Sequence, residues 1–279
     1  MNSSVGHAPP TAALQKLGKQ KSPPDPDAAA VDVRRVTHWF PTADGPQLAL
    51  RDINFDVPAG QFVCLVGPSG CGKTTLLNII SGQIANEQGT VELIDRNRQQ
   101  MPKNSIGYMF ARDALIPWRS VRRNVEFGLE LRNVKRAVRR ARAEEMLDLV
   151  GLPNKGDLYP RQLSHGMRQR ANLARTLSID PELLLVDEPF GALDAQTKVR
   201  LQKEFLGIWE RTRKTVVFVT HDLNEACLLA DRIVVMREGR IAKDLLIDFP
   251  RPRDLDSLRF EPKFQELVKS LWSLIAGEE

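Results

Sequence analysis

Phe62-Val63-Cys64-Leu65-Val66-Gly67-Pro68-Ser69-Gly70-Cys71-Gly72-Lys73-Thr74-Thr75 is a short apolar run that breaks into a glycine-rich loop and then into residues able to open a helix. From Gly67 onward it satisfies the pattern G-x-x-x-x-G-K-[ST] at every fixed position, the pattern of a loop that cradles phosphates. Glycines let successive backbone N–H groups turn toward one point, and a helix opening near Lys73 adds the positive end of its dipole. The reading places Lys73 on the outer phosphates of a nucleoside triphosphate and the Thr74 hydroxyl on Mg²⁺, with Gly67, Pro68, Ser69, Gly70, Cys71, Gly72 and Thr75 completing the cradle. The plain alternative is a glycine-rich turn between a strand and a helix. Kinases, motors, helicases and transporters all use this loop, so the rest of the chain must discriminate among them.

A chain of 279 residues with 42% hydrophobic content can build one large domain or two small ones around a true core. Its 40 Lys+Arg against 35 Asp+Glu leave +5, too diffuse a charge to demand nucleic acid as a partner. Cys64, Cys71 and Cys227 lie far apart, are odd in number and lack metal-ligand spacing, which fits a reducing compartment rather than a disulfide scaffold. No apolar h-region follows the start of the chain, and no window approaches the roughly 18 uninterrupted apolar residues of a membrane span. The expectation is a cytoplasmic protein whose contact with a membrane runs through a partner.

Residues 1–30 are rich in Pro, Ala, Lys and Ser and read as a disordered tail. Short β-like runs follow at 31–40, 48–57, 61–66 and 90–94, punctuated by turns at 44–46 and 58–60, with a phosphate-loop helix over 73–81. After a strand at 105–110, the stretch 121–150 reads as helical, with Val134, Val138 and Ala141 spaced for one face. Its arginines, Arg132, Arg136, Arg139 and Arg140, read most simply as a solvated face, with phospholipid or partner contact as the other reading. The runs 183–186 and 216–219 are continuously apolar, as strands buried on both faces of a parallel sheet are, so the core is α/β. One amphipathic helix closes the chain, with Phe264, Leu267, Val268, Leu271, Trp272 and Ile275 on one stripe.

Candidate chemistry gathers at the ends of those strands, where α/β sheets place their ligands. Asp187, pointing back toward Thr74, suits a metal ligand, and Glu188 suits a general base that orients or deprotonates water. His221 ends the strand over 216–220, where an imidazole can hold both a γ-phosphate and Glu188; a purely structural histidine is the alternative. Leu163-Ser164-His165-Gly166-Met167-Arg168-Gln169-Arg170 opens a helix running to about Ser178, and its start is a second anion-binding end.

With that last piece the chain resembles the ATP-binding subunits of ABC transporters, over about residues 31–247. Leu163 to Met167 looks like their signature motif, 67–75 like Walker A, and Asp187 with Glu188 like Walker B. Phe40 matches the aromatic that stacks on adenine, Ala192-Leu193-Asp194 the D-loop and His221 the switch histidine. The resemblance implies a P-loop NTPase core of parallel strands with an antiparallel β-subdomain and a helical signature subdomain at about 112–178, followed by a C-terminal extension over 248–279. It also implies a homodimer in which ATP on one copy's phosphate loop is closed by the Leu163 to Met167 tip of the other, including Ser164, His165 and Gly166, with Glu188 at the seam and Asp194 among the nucleotide-binding residues.

Two positions depart from the family pattern. Ala111 stands where a glutamine usually touches the metal and the attacking water, and His165 stands where the signature usually has glycine. Asp113-Ala114-Leu115-Ile116-Pro117-Trp118 is apolar for a loop beside a site strand, and Ile116-Pro117-Trp118 resembles the element with which importers of nitrate, sulfonates and taurine dock a membrane permease. A hydrophobic plug beneath the helical insert is the alternative. The implied function is the energy-coupling ATPase of a bacterial-type importer, using ATP and Mg²⁺, peripheral on the inner face of the membrane through its permease, and served by an extracytoplasmic solute-binding protein. A soluble ABC-type ATPase without a membrane partner is the rival; a P-loop kinase leaves the signature segment unexplained.

Overall fold

The computed structural model describes residues 29–276, apart from 96, 97, 112, 113 and 192. Most of the expected tail therefore lies outside the described residues, although Ala29 and Ala30 already belong to the first strand. Strands β1 (Ala29–Thr42), β2 (Gly45–Pro58) and β4 (Gln88–Leu93) form an antiparallel sheet in the order β2-β1-β4. Pro46 falls inside β2 rather than in the turn expected at 44–46, which an edge strand tolerates because its outer N–H row needs no partner.

The second sheet runs β5-β6-β7-β3-β8-β9, from β3 (Phe62–Val66), β5 (Ile106–Met109), β6 (Leu183–Asp187), β7 (Thr215–Val219), β8 (Arg232–Arg237) and β9 (Arg240–Leu246). Every pairing is parallel except β8 with β9. The period of two along a strand explains the unbroken apolar runs. Phe62, Cys64, Val66, Leu184, Val186, Val216 and Phe218 enter one core, while Val63, Leu65, Leu183, Leu185, Val217 and Val219 enter the other. The second core is closed by the β1–β2 sheet and by helix α1 (Lys73–Ile80).

Helices α2 (Val121–Leu131), α3 (Arg136–Leu149) and α4 (His165–Ser178) pack together beside the first core, and α5 (Ala195–Thr212) and α6 (Leu223–Leu229) cover it. The single helical stretch expected over 121–150 is two helices, separated where Asn133 takes φ +56°. The face expected from Val134, Val138 and Ala141 is also wrong: Val138 is 57% exposed, and α3 buries Ala143, Met146 and Leu147. Those three share an i, i+3, i+4 stripe with more apolar volume than the expected one. The arginine face is only partly solvated, since Arg132 donates to the Ile179 carbonyl at 2.9 Å and Arg139 to Glu126 at 3.2 Å.

After β9, α7 (Leu255–Leu258) and α8 (Pro262–Ala276) return across the first core. Phe264, Val268 and Leu271 are buried as the stripe predicts, whereas Trp272 is 62% exposed and lies off it.

Candidate functional site

The strands β3, β6 and β7 are in register at their carboxyl ends, where Leu65 pairs with Val219 and Val219 with Asp187. That register delivers Gly67, Asp187, Glu188 and His221 to one edge of the sheet, the edge at which open α/β sheets bind ligands.

The loop leaving β3 needs its glycines for close approach. A Cβ on Gly67 would lie 2.1 Å from the Met236 carbonyl oxygen, and one on Gly72, at φ +102°, would lie 2.7 Å from Leu50 Cδ2 and 2.8 Å from the Ala49 oxygen. Gly72 is also the N-cap of α1, with no side-chain cap and no acidic residue in the first turn. The opening N–H groups of that helix are therefore free of side-chain acceptors, which suits an anion. Lys73 is 5% exposed, and its Nζ donates to the Gly67 and Pro68 carbonyls at 2.9 Å each. It also reaches Cys71 Sγ at 3.7 Å, and a buried ammonium whose hydrogen-bond partners are all neutral is a strong attractor for phosphate.

Thr74 Oγ1 donates to Asp187 Oδ1 at 3.1 Å. Burial first, and Glu188 second among the raising influences, push the Asp187 carboxyl above its ordinary range, while the Thr74 hydrogen bond and Lys73 pull it back. A hydroxyl and one carboxylate are a donor set that Mg²⁺ accepts, because the ion keeps several waters and takes its other oxygens from phosphates. Among the described residues no group of three or more His, Cys, Asp or Glu could hold a metal.

Glu188 takes φ +42°, a conformation a non-glycine residue holds only where its surroundings enforce it, and its N–H donates to the Val219 carbonyl at 3.0 Å. Its Oε2 accepts from His221 Nδ1 at 3.0 Å. The Asp–Glu pair and the histidine are thus brought together with the phosphate loop. Ala111 is exposed after β5 and offers a methyl group there.

Ser164, His165 and Gly166 form the tip of α4. Ser164 is its N-cap, accepting from Met167 N at 3.3 Å, and no acid stands in the first turn. His165 Nδ1 lies 3.2 Å from an Arg168 amino group, which can only donate, so Nδ1 accepts and Nε2 carries the proton; Nε2 is buried with no partner among the described residues. A Cβ on Gly166 would lie 2.8 Å from Thr197 Cγ2, so this glycine is what lets the tip of α4 meet the first turn of α5. Asp194, the N-cap of α5, accepts from Thr197 N at 3.0 Å, and that amide holds its carboxyl below the ordinary range. Ala192 lies outside the described residues. The side-chain hydrogen bonds of Ser164 and His165 stay within α4 and do not reach the phosphate loop. Phe40 sits on the other sheet, 38% exposed, with its ring edge-on to His38 at 4.7 Å.

The apolar loop before α2 is only partly buried. Leu115 is buried, but Trp118 is 77% exposed. The loop is held by fully buried Asn124, which accepts from Ile116 N at 2.7 Å and donates to the carbonyls of Ile116, Arg119 and Ser120 at 3.1 Å each. The loop is thus tied down by Asn124 while it displays an indole to solvent. Asp113 lies outside the described residues. No described helix is long and apolar enough to cross a membrane.

Sequence reasoning missed the polar group behind His221, in which Lys198 and Gln202 of α5 meet Asp222 and Glu225 of α6. The spacings 198/202 and 222/225 put each pair on one helical face, a signal that needs the helices' packing to be read.

The family model described as "ABC transporter" matches residues 50–191. The chain is similar to a nitrate import ATP-binding protein of Synechococcus elongatus, 43% identical over 83% of this chain and 86% of that protein. It is similar to a taurine import ATP-binding protein of Rhizobium johnstonii, 42% identical over 83% of this chain and 90% of that one. Among solved structures, a dimeric ATP-binding cassette in a post-hydrolysis state bound to ADP and Pi superposes with a TM-score of 0.69 at 31% identity, over 79% of this chain and 100% of the other.

Proposed function

The chain belongs to the ABC transporter family of ATP-binding, ATP-hydrolysing proteins, and we propose that it is the energy-coupling subunit of an importer for nitrate, a sulfonate, taurine or a related small solute. One observation carries the reading of the site: Thr74–Asp187 at 3.1 Å and His221–Glu188 at 3.0 Å flank the same phosphate loop.

In this reading the uncapped start of α1 and the loop 67–75 hold the phosphates, and Lys73 exchanges its carbonyl partners for them. Phe40 stacks on adenine. Thr74 and Asp187 hold Mg²⁺, which when bound neutralises charge on the phosphate oxygens. With Ala111 in place of a glutamine, the ion depends more on water and on those two residues. Glu188 orients the attacking water and takes its proton. His221 donates through Nδ1 to Glu188, so Nε2 can also donate to a phosphate only when the ring carries both protons.

Ser164, His165, Gly166 and Asp194 then belong to the partner copy's site, a reading supported by side-chain hydrogen bonds of Ser164 and Asp194 that stay within their own helix starts. The proposed division is a cassette over 31–247 with a helical subdomain at about 112–178, and a C-terminal extension over 248–279. Trp118 and its rigid loop dock a membrane permease, which places the subunit on the cytoplasmic face, and a solute-binding protein completes the complex from outside. Glu188→Gln protein saturated with Mg-ATP is expected to run as a dimer in size-exclusion chromatography with light scattering. A strict monomer, even alongside the membrane subunits, would falsify the composite site.

A further inference from the structure

Behind His221 runs a chain of polar side chains to which the proposed roles give no part. Asp222, directly after His221, is the N-cap of α6, and Glu225 within that helix is 2% exposed. Glu225 Oε1 accepts from Gln202 Nε2 at 2.8 Å, and Lys198 Nζ stands 3.7 Å from the same oxygen while holding Asp222 Oδ2 at 2.7 Å. On its other side, Gln202 Oε1 accepts from an Arg259 amino group at 2.9 Å. Arg259 follows α7, in the segment after β9.

The chemistry makes this relay directional. A guanidinium has donors only, so Gln202 must turn its oxygen to Arg259, which leaves the amide N–H for Glu225; a carboxylate accepts it. Each member dictates the orientation of the next. Burial pushes the Glu225 carboxyl up, while Lys198, Thr220 and Gln202 pull it back, so losing the Gln202 donor removes one of few groups that keep it ionised.

The same segment grips the far end of α6. Arg253 donates to the carbonyls of Leu228 at 3.0 Å and Ala230 at 2.8 Å, and Arg251 pairs with Asp231 at 2.7 Å while its guanidinium lies 4.3 Å over Trp209 of α5. α6 is thus held at its start through Arg259 and at its end by Arg253.

We propose that Arg259 and Gln202 are positioning residues for hydrolysis: through Glu225 they fix α6, and with it the placement of His221 against Glu188. The C-terminal segment thereby takes part in the ATPase step without touching nucleotide. The inference rests on the functional reading above, which gives His221 and Glu188 their roles.

A double-mutant cycle on the full-length chain tests it. Arg259→Ala and Glu225→Gln are each expected to lower kcat for ATP hydrolysis about fivefold with KM for ATP unchanged, and the double variant to lose no more than the worse single one. Arg259 and Glu225 do not bond to each other, so losses that multiply overturn the relay, as does a rise in KM with kcat intact. Gln202→Glu is a second arm that does not depend on Glu225→Gln folding. It keeps an acceptor for Arg259 but sets an acceptor against Glu225, so kcat should fall as in Arg259→Ala, and a parental kcat overturns the proposal. Hydrolysis that disappears in Glu188→Gln while the cycle is additive sinks this inference alone. A parent chain that hydrolyses no ATP sinks the functional reading and this one with it.

Discussion

The chain carries two helix tips suited to anions, the start of α1 and the start of α4, and they are finished differently. Around α1 stand Lys73, the Thr74–Asp187 pair and the Glu188–His221 pair, all brought there by strand register. Around α4 stand the Ser164 cap, the His165–Arg168 contact and the Gly166–Thr197 approach, with no carboxylate poised for water. One tip carries the groups proposed to hold a phosphate and to direct water at it. The other has the Ser164 cap and the helix dipole without an acid in its first turn, which is compatible with the proposed role of closing a site on another copy.

The contrast is tested hardest at Glu188. Glu188→Gln should retain ATP binding by fluorescence titration and lower hydrolysis at least about 100-fold, the range of a positioned base. A variant that still turned over at parental rate would remove the chemical asymmetry between the tips.

Gly166→Ala probes the other tip. Its Cβ would lie 2.8 Å from Thr197 Cγ2, so the α4–α5 approach must open. Hydrolysis is expected to fall about tenfold and stability by about 1–3 kcal/mol, the usual cost of overpacking, while nucleotide affinity of the isolated chain stays unchanged. Adding Thr197→Ser, which deletes the clashing methyl, should restore both. If it does not, the tip's defect lies elsewhere than in this contact.

Asp187→Asn separates function from stability. Because burial raises this carboxyl's pKa, the ionised form is penalised in the folded chain, and an amide still meets Thr74 without that charge. The nucleotide-free variant should be more stable than the parent by about 1 kcal/mol at neutral pH in calorimetry, and should lose Mg²⁺-dependent hydrolysis. The sign follows from linkage: the folded parent holds its proton more tightly than the unfolded chain, so its stability falls as pH rises through the carboxylate range. The advantage of the amide should therefore vanish in acid. An advantage that persisted at low pH would point to packing instead.

The smallest expected effect is at His165. His165→Gly removes the acceptor that Arg168 meets at the tip of α4, and the rate of hydrolysis is expected to fall about twofold. A parental rate would show that this ring is a spectator.

The phosphate loop, Asp187, Glu188 and His221 were legible because each lies next to a short apolar run, and local order along a strand is a local property. The polar relay was not, because Lys198, Gln202, Glu225 and Arg259 come from three separate segments and meet only once α5, α6 and the C-terminal segment pack. The face of α3 was misread for a related cause. Val134, Val138 and Ala141 are as well spaced as Ala143, Met146 and Leu147, and the choice between the stripes is made by α2 and α4, against which α3 packs.

The order of residues was enough to specify a phosphate cradle, a parallel sheet buried on both faces and the strand ends that carry acids and imidazole, since dihedral freedom, side-chain period and charge act over a few residues. Which distant groups meet was left to packing. The Thr74–Asp187 and His221–Glu188 contacts, the Gly166–Thr197 approach and the Arg259–Gln202–Glu225 relay join residues between 23 and 113 positions apart, and such contacts form only when burying apolar surface has brought the segments together.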